Sequence, residues 1–270
     1  MPDEASVRRG VVATGNVPIY PDLDGKVAVV TGGSRGIGAA TCRLLAANGA
    51  KVAVNGRDEA AIDAVVGEIR NQGGEAVGAT ADVRDFAAIE RLRERVEREL
   101  GPADVLVAFA GGGQIRPGPT ERITEEEWRS VVDGNLTATF LTVKSFLPGM
   151  IERGRGSIVT MASTAARHPT GAPTPYAAAK AGVVMFSRHV ANEVGRRGVR
   201  VNCVSPSSVL TERTQRFMTE GQQREIAAVH PLGRLGTPED VGLATLFLAS
   251  ESSSWLTGLT LDVAGGRVMV

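Results

Sequence analysis

Cysteine and histidine are scarce in this chain of 270 residues, with two of the first and three of the second. Cys42 and Cys203 lie far apart with no CxxC spacing, which argues against a disulfide framework or a thiolate metal site. Both are expected as buried small hydrophobes in a reducing compartment. His168, His189 and His230 stand at no metal-ligand spacing, so no metal is expected. Net charge is missing as well. The 30 basic residues balance 30 acidic ones, which argues against nucleic acid or an anionic membrane as partner. No apolar run approaches the ~20 residues that a membrane helix needs. Met1 to Gly10 is polar, without the apolar stretch of a secretory signal. Repeats, low-complexity tracts and linkers are absent too. A soluble, cytoplasmic protein is expected.

What the chain does have is a strict alternation of short β-branched runs and amphipathic stretches. Lys26 to Val30 is one such run, bounded by Gly25 and by Thr31-Gly32-Gly33, and fits a strand buried on both faces. Ile37, Ala40, Thr41, Leu44 and Leu45 then fall on one helical stripe, which ends at Asn48-Gly49. The pattern repeats with a strand at Val52–Val54 and a helix capped by Asp58, with Ile62, Val65, Val66 and Ile69 on one face. Glu75 to Ala79 is a third strand, and Phe86, Ile89, Leu92, Val96 and Leu100 stripe the next helix. Strands follow at Val105–Ala108, Ser157–Thr160, Val199–Val204 and Leu259–Val263. Thr124 to Glu127 is a capping box opening one long helix through Trp128, Val131, Val132, Phe140 and Leu147. Another helix begins at Pro175, and Thr237-Pro238-Glu239 caps one that runs to Ser250. Phe140, Phe186 and Phe247 fall at core spacing. This alternation predicts an α/β fold, a three-layer doubly wound parallel sheet of about seven strands with helices on both faces.

Residues 1–22 show no period and read as an N-terminal extension, so residues 23–270 are expected to form one domain. Residues 207–235 alternate poorly and read as a mobile excursion over the site, in which Phe217 and Met218 are candidates to line an apolar pocket.

Two stretches carry chemistry. In Pro175-Tyr176-Ala177-Ala178-Ala179-Lys180 the four-residue spacing stacks the phenol of Tyr176 and the ammonium of Lys180 on one helix face. A free phenol titrates near pH ~10, and a neighbouring cation favours its anion, which makes it a usable acid or base. The second stretch is Thr31-Gly32-Gly33-Ser34-Arg35-Gly36-Ile37-Gly38, between the first strand and the first helix. There, backbone N–H groups and a helix dipole can face a phosphate, and glycines let the backbone approach it.

Thr31-Gly32-x-x-x-Gly36-Ile37-Gly38, followed by Ser163 and Tyr176-x-x-x-Lys180, resembles the short-chain dehydrogenase/reductase family over roughly residues 24–266. The resemblance implies a Rossmann fold and an active site of Asn135, Ser163, Tyr176 and Lys180. Tyr176 would pass a proton to a carbonyl oxygen as hydride arrives, or take one from an alcohol. Ser163 would hydrogen-bond the same oxygen, and Lys180 would lower the phenol pKa and bind the nicotinamide ribose. Asn135 would hold a water linking Lys180 to solvent, unless it is a polar residue that merely kinks its helix. The cofactor would lie along Gly32, Ser34, Arg35, Gly36, Ile37 and Gly38, then Ala110, Gly111, Val209 and Thr211. Asp82-Val83 resembles the adenine contact, with helix capping by Asp82 as the other reading.

Asn55-Gly56-Arg57 follows Val54 where members that prefer NAD carry an acid. Arg57 and Arg35 facing a 2′-phosphate would make charge-assisted pairs, so NADP(H) is the expected cofactor, unless both are solvated surface charges. The chain departs from the family's pattern at Ala108-Phe109 for Asn-Asn, at Pro206-Ser207 for Pro-Gly, and at Ala264 before Gly265-Gly266. The first leaves local rigidity in question, and the second alters the pocket wall. Pro231 to Gly236 and Pro238-Glu239-Asp240 resemble the 3-oxoacyl-(acyl-carrier-protein) reductases. The implied function is reduction of a 3-oxoacyl thioester or a small-molecule carbonyl by a homotetramer or homodimer. A sugar or small secondary-alcohol dehydrogenase is the alternative. A non-catalytic dinucleotide-binding regulator is a further rival, which the presence of both Tyr176 and Lys180 disfavours.

Overall fold

The computed structural model describes residues 17–112 and 115–269, without the side chains of Arg213 and Phe217. Strands β1 (Val27–Thr31), β2 (Lys51–Gly56), β3 (Ala76–Thr80), β4 (Val105–Ala108), β5 (Gly156–Met161), β6 (Val199–Pro206) and β7 (Thr260–Val263) form one parallel sheet. Its order is β3-β2-β1-β4-β5-β6-β7. Helices α1 (Gly36–Ala47), α2 (Glu59–Asn71), α3 (Phe86–Glu99), α4 (Glu125–Val132) and α5 (Ala138–Glu152) come from the first part of the chain. They are followed by α6 (Thr174–Val194), α7 (Glu212–Phe217), α8 (Glu220–Ala228) and α9 (Pro238–Ala249).

Every residue of β1 is buried because the sheet is covered on both sides. Ala28 and Val30 join Leu45 of α1, Ile62 of α2 and Leu246 of α9 in one core cluster. Val27 and Val29, pointing the other way, join Ile89 of α3, Phe146 of α5 and Val194 of α6 in a second. The doubly wound three-layer reading therefore holds. The order turns around at β1, which pairs with β2 on one side and β4 on the other. A crevice for a ligand opens there, at the carboxyl ends of the strands.

Local departures from the sequence reading have physical causes. The expected long helix is interrupted by a π-helical turn at Asp133–Thr137, which contains Asn135. Phe140 is 43 % exposed rather than core, and its ring meets Phe186 edge-on with centroids 6.2 Å apart. The stretch 207–235 contains α7 and α8, each opened by a capping box, Thr211 with Thr214 and Thr219 with Gln222. Helix α8 buries no residue, so it carries no apolar stripe for a sequence pattern to reveal. At the other end of the chain, Val17 and Tyr20 pack against the first core cluster. Residues 1–16 of the expected extension lie outside the described residues.

Candidate active site

The glycine turn closes so tightly that side chains cannot enter it. A Cβ on Gly38 would sit 2.0 Å from the Gly32 carbonyl oxygen, and one on Gly32 would come within 3.0 Å of the Ala110 backbone. Gly36 takes φ +51°, in the left-handed region that favours glycine. Arg35 occupies the N-cap of α1 without a side-chain cap, which leaves first-turn N–H groups without a side-chain acceptor. A bare helix N-terminus above a glycine cradle fits the pyrophosphate of a dinucleotide. Overpacking costs ~1–3 kcal/mol, so Gly38→Ala is expected to lower the melting temperature by about 5 °C. Thermal unfolding with and without NADPH checks this; an unchanged melting temperature and unchanged NADPH affinity would mean the turn has room to spare.

A cleft of about 630 Å³ runs from this turn along the strand ends. Gly32, Ser34, Arg35, Gly36, Ile37 and Gly38 line it, as expected from the sequence. So do Arg57, Asp82, Val83, Ala110, Gly111 and Thr211. Val209 does not; it is buried and bridges to Gly236. Met218 caps α7 without lining the cleft, and the side chain of Phe217 lies outside the described residues.

The charges at the adenosine end are not equivalent. The Arg35 guanidinium lies 2.5 Å from Asp58 and 3.9 Å from Glu212, so its charge is already matched. Backbone donation from Ala61, then the bond from Arg35, hold the Asp58 carboxyl below its usual range. Arg57 makes no ion pair within 4.0 Å among the described residues, although its charge helps to lower the Asp82 carboxyl. Asp82 is held by three side-chain contacts of Arg84, the shortest 2.6 Å, which bring its carboxyl down to about 2. Capping of α3 belongs to Asp85, which accepts from Ala87 N, and not to Asp82. Ser34 sits close against Gly56, where a Cβ would lie 2.6 Å from its Oγ.

None of the four catalytic candidates lines this cleft; they come from three elements, and Gly134 and Met161, near Asn135 and Ser163 in the chain, do line it. Ser163 follows β5, and its Oγ accepts a 3.2 Å bond from Ala165 N, which leaves the hydroxyl proton to donate. Helix α6 carries Tyr176, half-buried, and Lys180, 3 % exposed. The Lys180 Nζ donates to Met161 O at 2.9 Å and lies 5.6 Å from the centroid of the Tyr176 ring. Met161 itself lines the cleft, so that bond ties the ammonium to the cleft wall. Asn135 is fully buried in the π turn. Its Nδ2 donates to Val131 O at 2.8 Å and Gly112 O at 3.1 Å, while its Oδ1 accepts from Gly112 N at 2.9 Å. It therefore fastens the loop after β4.

Burial holds Lys180 down from 10.5 to about 8. Between those values the unfolded chain binds more protons than the folded one, so stability rises with pH across that window. The cost of burying the charge is fully present below about 8 and gone above 10.5. A shift of this size corresponds to about 3 kcal/mol. Lys180→Met is expected to lose this rise, measured as the difference between urea-unfolding free energies at neutral and alkaline pH. A wild type and variant with parallel profiles would contradict it.

Several contacts around the site follow from no spacing in the sequence. Asn55 is buried in β2 and ties β3 through Nδ2 bonds to Ala79 O and Ala81 O at 3.0 and 3.2 Å. Phe109, standing where the family has Asn, is core. Thr31 Oγ1 of β1 bridges to β4 and the loop after it through long contacts of 3.5 Å to Val107 O and 3.4 Å from Ala110 N. Arg84, Glu212 and Arg216 also line the cleft, and no spacing in the sequence marks them.

Residues 32–267 match the family model described as enoyl-(acyl carrier protein) reductase. The chain belongs to the short-chain dehydrogenase/reductase family. This short-chain enzyme is 38 % identical over 249 residues to the 3-oxoacyl-(acyl-carrier-protein) reductase of Escherichia coli (strain K12), covering 92 % of this chain and 100 % of that one. It is 36 % identical over 256 residues to 2,3-dihydro-2,3-dihydroxybenzoate dehydrogenase of Bacillus subtilis (strain 168), covering 92 % and 97 %. Among solved structures it resembles a 7α-hydroxysteroid dehydrogenase complexed with NADH and 7-oxo glycochenodeoxycholic acid, at TM-score 0.87 and 32 % identity, covering 93 % and 97 %. As a short-chain dehydrogenase/reductase it is a nicotinamide-dinucleotide-dependent oxidoreductase acting on a carbonyl or CH–OH group.

Proposed function

We propose that the protein reduces the carbonyl of a 3-oxoacyl thioester with NADPH. The observation that carries this is the Lys180 ammonium, buried and tied to the cleft wall, 5.6 Å from the Tyr176 ring. When bound, NADPH would supply hydride to the carbonyl carbon. Tyr176 donates the proton to the carbonyl oxygen, and the neighbouring ammonium favours the phenolate that remains. Ser163 donates to the same oxygen and fixes its direction. Lys180 holds the nicotinamide ribose, while Asn135 keeps the loop at Gly111 and Gly112 in place. Arg57 meets the 2′-phosphate. Arg35 already shares its charge with Asp58, so Arg57 carries the larger share of any preference for NADPH.

The substrate class rests on the similarity to 3-oxoacyl reductases over nearly the whole chain. A second reading, oxidation of a small secondary alcohol, draws on the resemblance to the dihydroxybenzoate dehydrogenase. Turnover of 3-oxoacyl thioesters, diketones, sugar lactones and ketosteroids with NADPH, and of secondary alcohols with NADP+, distinguishes the two. A 3-oxoacyl thioester at the highest kcat/KM supports the first; alcohol oxidation alone would exclude it. A homotetramer accords with the exposed Trp128, Phe140 and Met185 on α4, α5 and α6, and light scattering tests it.

A further inference from the structure

His230 is a buried titratable side chain that none of the steps above uses, 3 % exposed just beyond the end of α8. Its Nδ1 lies 2.6 Å from Ile226 O and its Nε2 lies 2.9 Å from Ser207 Oγ. A carbonyl oxygen can only accept, so Nδ1 carries the proton. In the neutral ring Nε2 then accepts from the Ser207 hydroxyl. Ser207 is the first residue after β6, and its own N–H bonds to Val263 O of β7 at 3.2 Å. The imidazole also packs against the turn after β7, where a Cβ on Gly265 would lie 3.4 Å from His230 Cδ2. One ring thus joins the end of α8, the exit of β6 and the C-terminal turn.

The segment so fastened reaches the nucleotide cleft. At its neck, Gly236 N donates to Ser208 O at 3.0 Å and Leu210 N to Gly236 O at 2.8 Å. Immediately beyond lies Thr211, whose Cγ2 would be 3.3 Å from a Cβ on Gly36 in the glycine turn. Thr214 Oγ1 donates to Val209 O at 2.9 Å, so α7 is locked to the same strand exit. Only Ser208, Val209 and Leu210 separate Ser207 from Thr211. Slack between Ser207 and His230 therefore passes along this short stretch to the lip of the cleft.

We propose that His230 and Ser207 form a positioning pair that sets α7, α8 and Thr211 against the cofactor cleft, and so fixes how the dinucleotide is seated. The proposal rests on the dinucleotide-dependent reading of the cleft, but not on the identity of the carbonyl substrate. It is tested with the full-length protein by Ser207→Ala, which removes the donor, and Ser207→Thr, which keeps a hydroxyl. Amide hydrogen exchange is followed in the ligand-free protein, and the emission of bound NADPH reports the surroundings of the nicotinamide. In Ser207→Ala, exchange is expected to quicken across residues 212–228 and not in β1 or β4, with altered NADPH emission. Where a 3-oxoacyl thioester turns over, its KM is expected to rise about tenfold with a smaller change in kcat. Ser207→Thr is expected to restore these values. Unchanged exchange overturns the proposal. Faster exchange with unchanged emission and kinetics overturns it too, since the pair would then be structural only. If no carbonyl compound turns over, exchange and emission still decide the matter, so failure of the substrate reading is separable from failure of this one.

Discussion

Tyr176→Phe is expected to lower kcat by about 10²- to 10⁴-fold, the usual contribution of a positioned general acid. NADPH affinity should change by less than about twofold, because the hydroxyl acts on the substrate oxygen and phenylalanine keeps the ring. The ring stays on α6, and Lys180 keeps its 2.9 Å bond to Met161 O, so the cleft wall is undisturbed. Single-turnover kinetics with a 3-oxoacyl thioester, together with a fluorescence titration of NADPH, separate the two effects. Full activity in the variant would remove Tyr176 from the proton-transfer role. An equal loss of cofactor binding would make it a cofactor contact instead.

Arg57→Ala is expected to weaken NADPH by on the order of 10- to 100-fold while leaving NADH within about twofold. The asymmetry with Arg35 is the reason. Arg35 is engaged by Asp58 at 2.5 Å, whereas Arg57 makes no ion pair within 4.0 Å among the described residues. A 2′-phosphate brings Arg57 a new charge-assisted partner, and a bare ribose brings it none. Arg35→Ala should therefore cost less NADPH affinity than Arg57→Ala. Equal weakening of NADPH and NADH by Arg57→Ala would contradict the 2′-phosphate contact.

Much of this architecture was legible because the sheet is buried on both faces. Runs such as Val27 to Val30 are then continuous and β-branched, and the helices that cover them show clear stripes at Ile62, Val65, Val66 and Ile69. The glycine turn and the Tyr176–Lys180 pair are local in sequence, so spacing alone brings them into view. What escaped depends on long-range contact. Arg35 and Asp58 are 23 residues apart, as are Ser207 and His230, and nothing in either neighbourhood announces its partner. The π turn at Asn135 inserts an irregularity into an otherwise helical pattern, and the bonds that fix it come from Gly112 in another loop. Phe140 has the spacing of a core residue but lies on an outward face of α5. Helix α8 is set by its cap rather than by burial, so no stripe marks it in the sequence.

The most direct test of the central claim is a single turnover of NADPH bound to the full-length protein, mixed with a 3-oxoacyl thioester and followed by loss of reduced-nicotinamide absorbance. The account predicts stoichiometric oxidation that is fast with NADPH, slower with NADH and nearly abolished in Tyr176→Phe. Oxidation that proceeds equally well in Tyr176→Phe, or tight NADPH binding with no oxidation by any carbonyl compound, would contradict it.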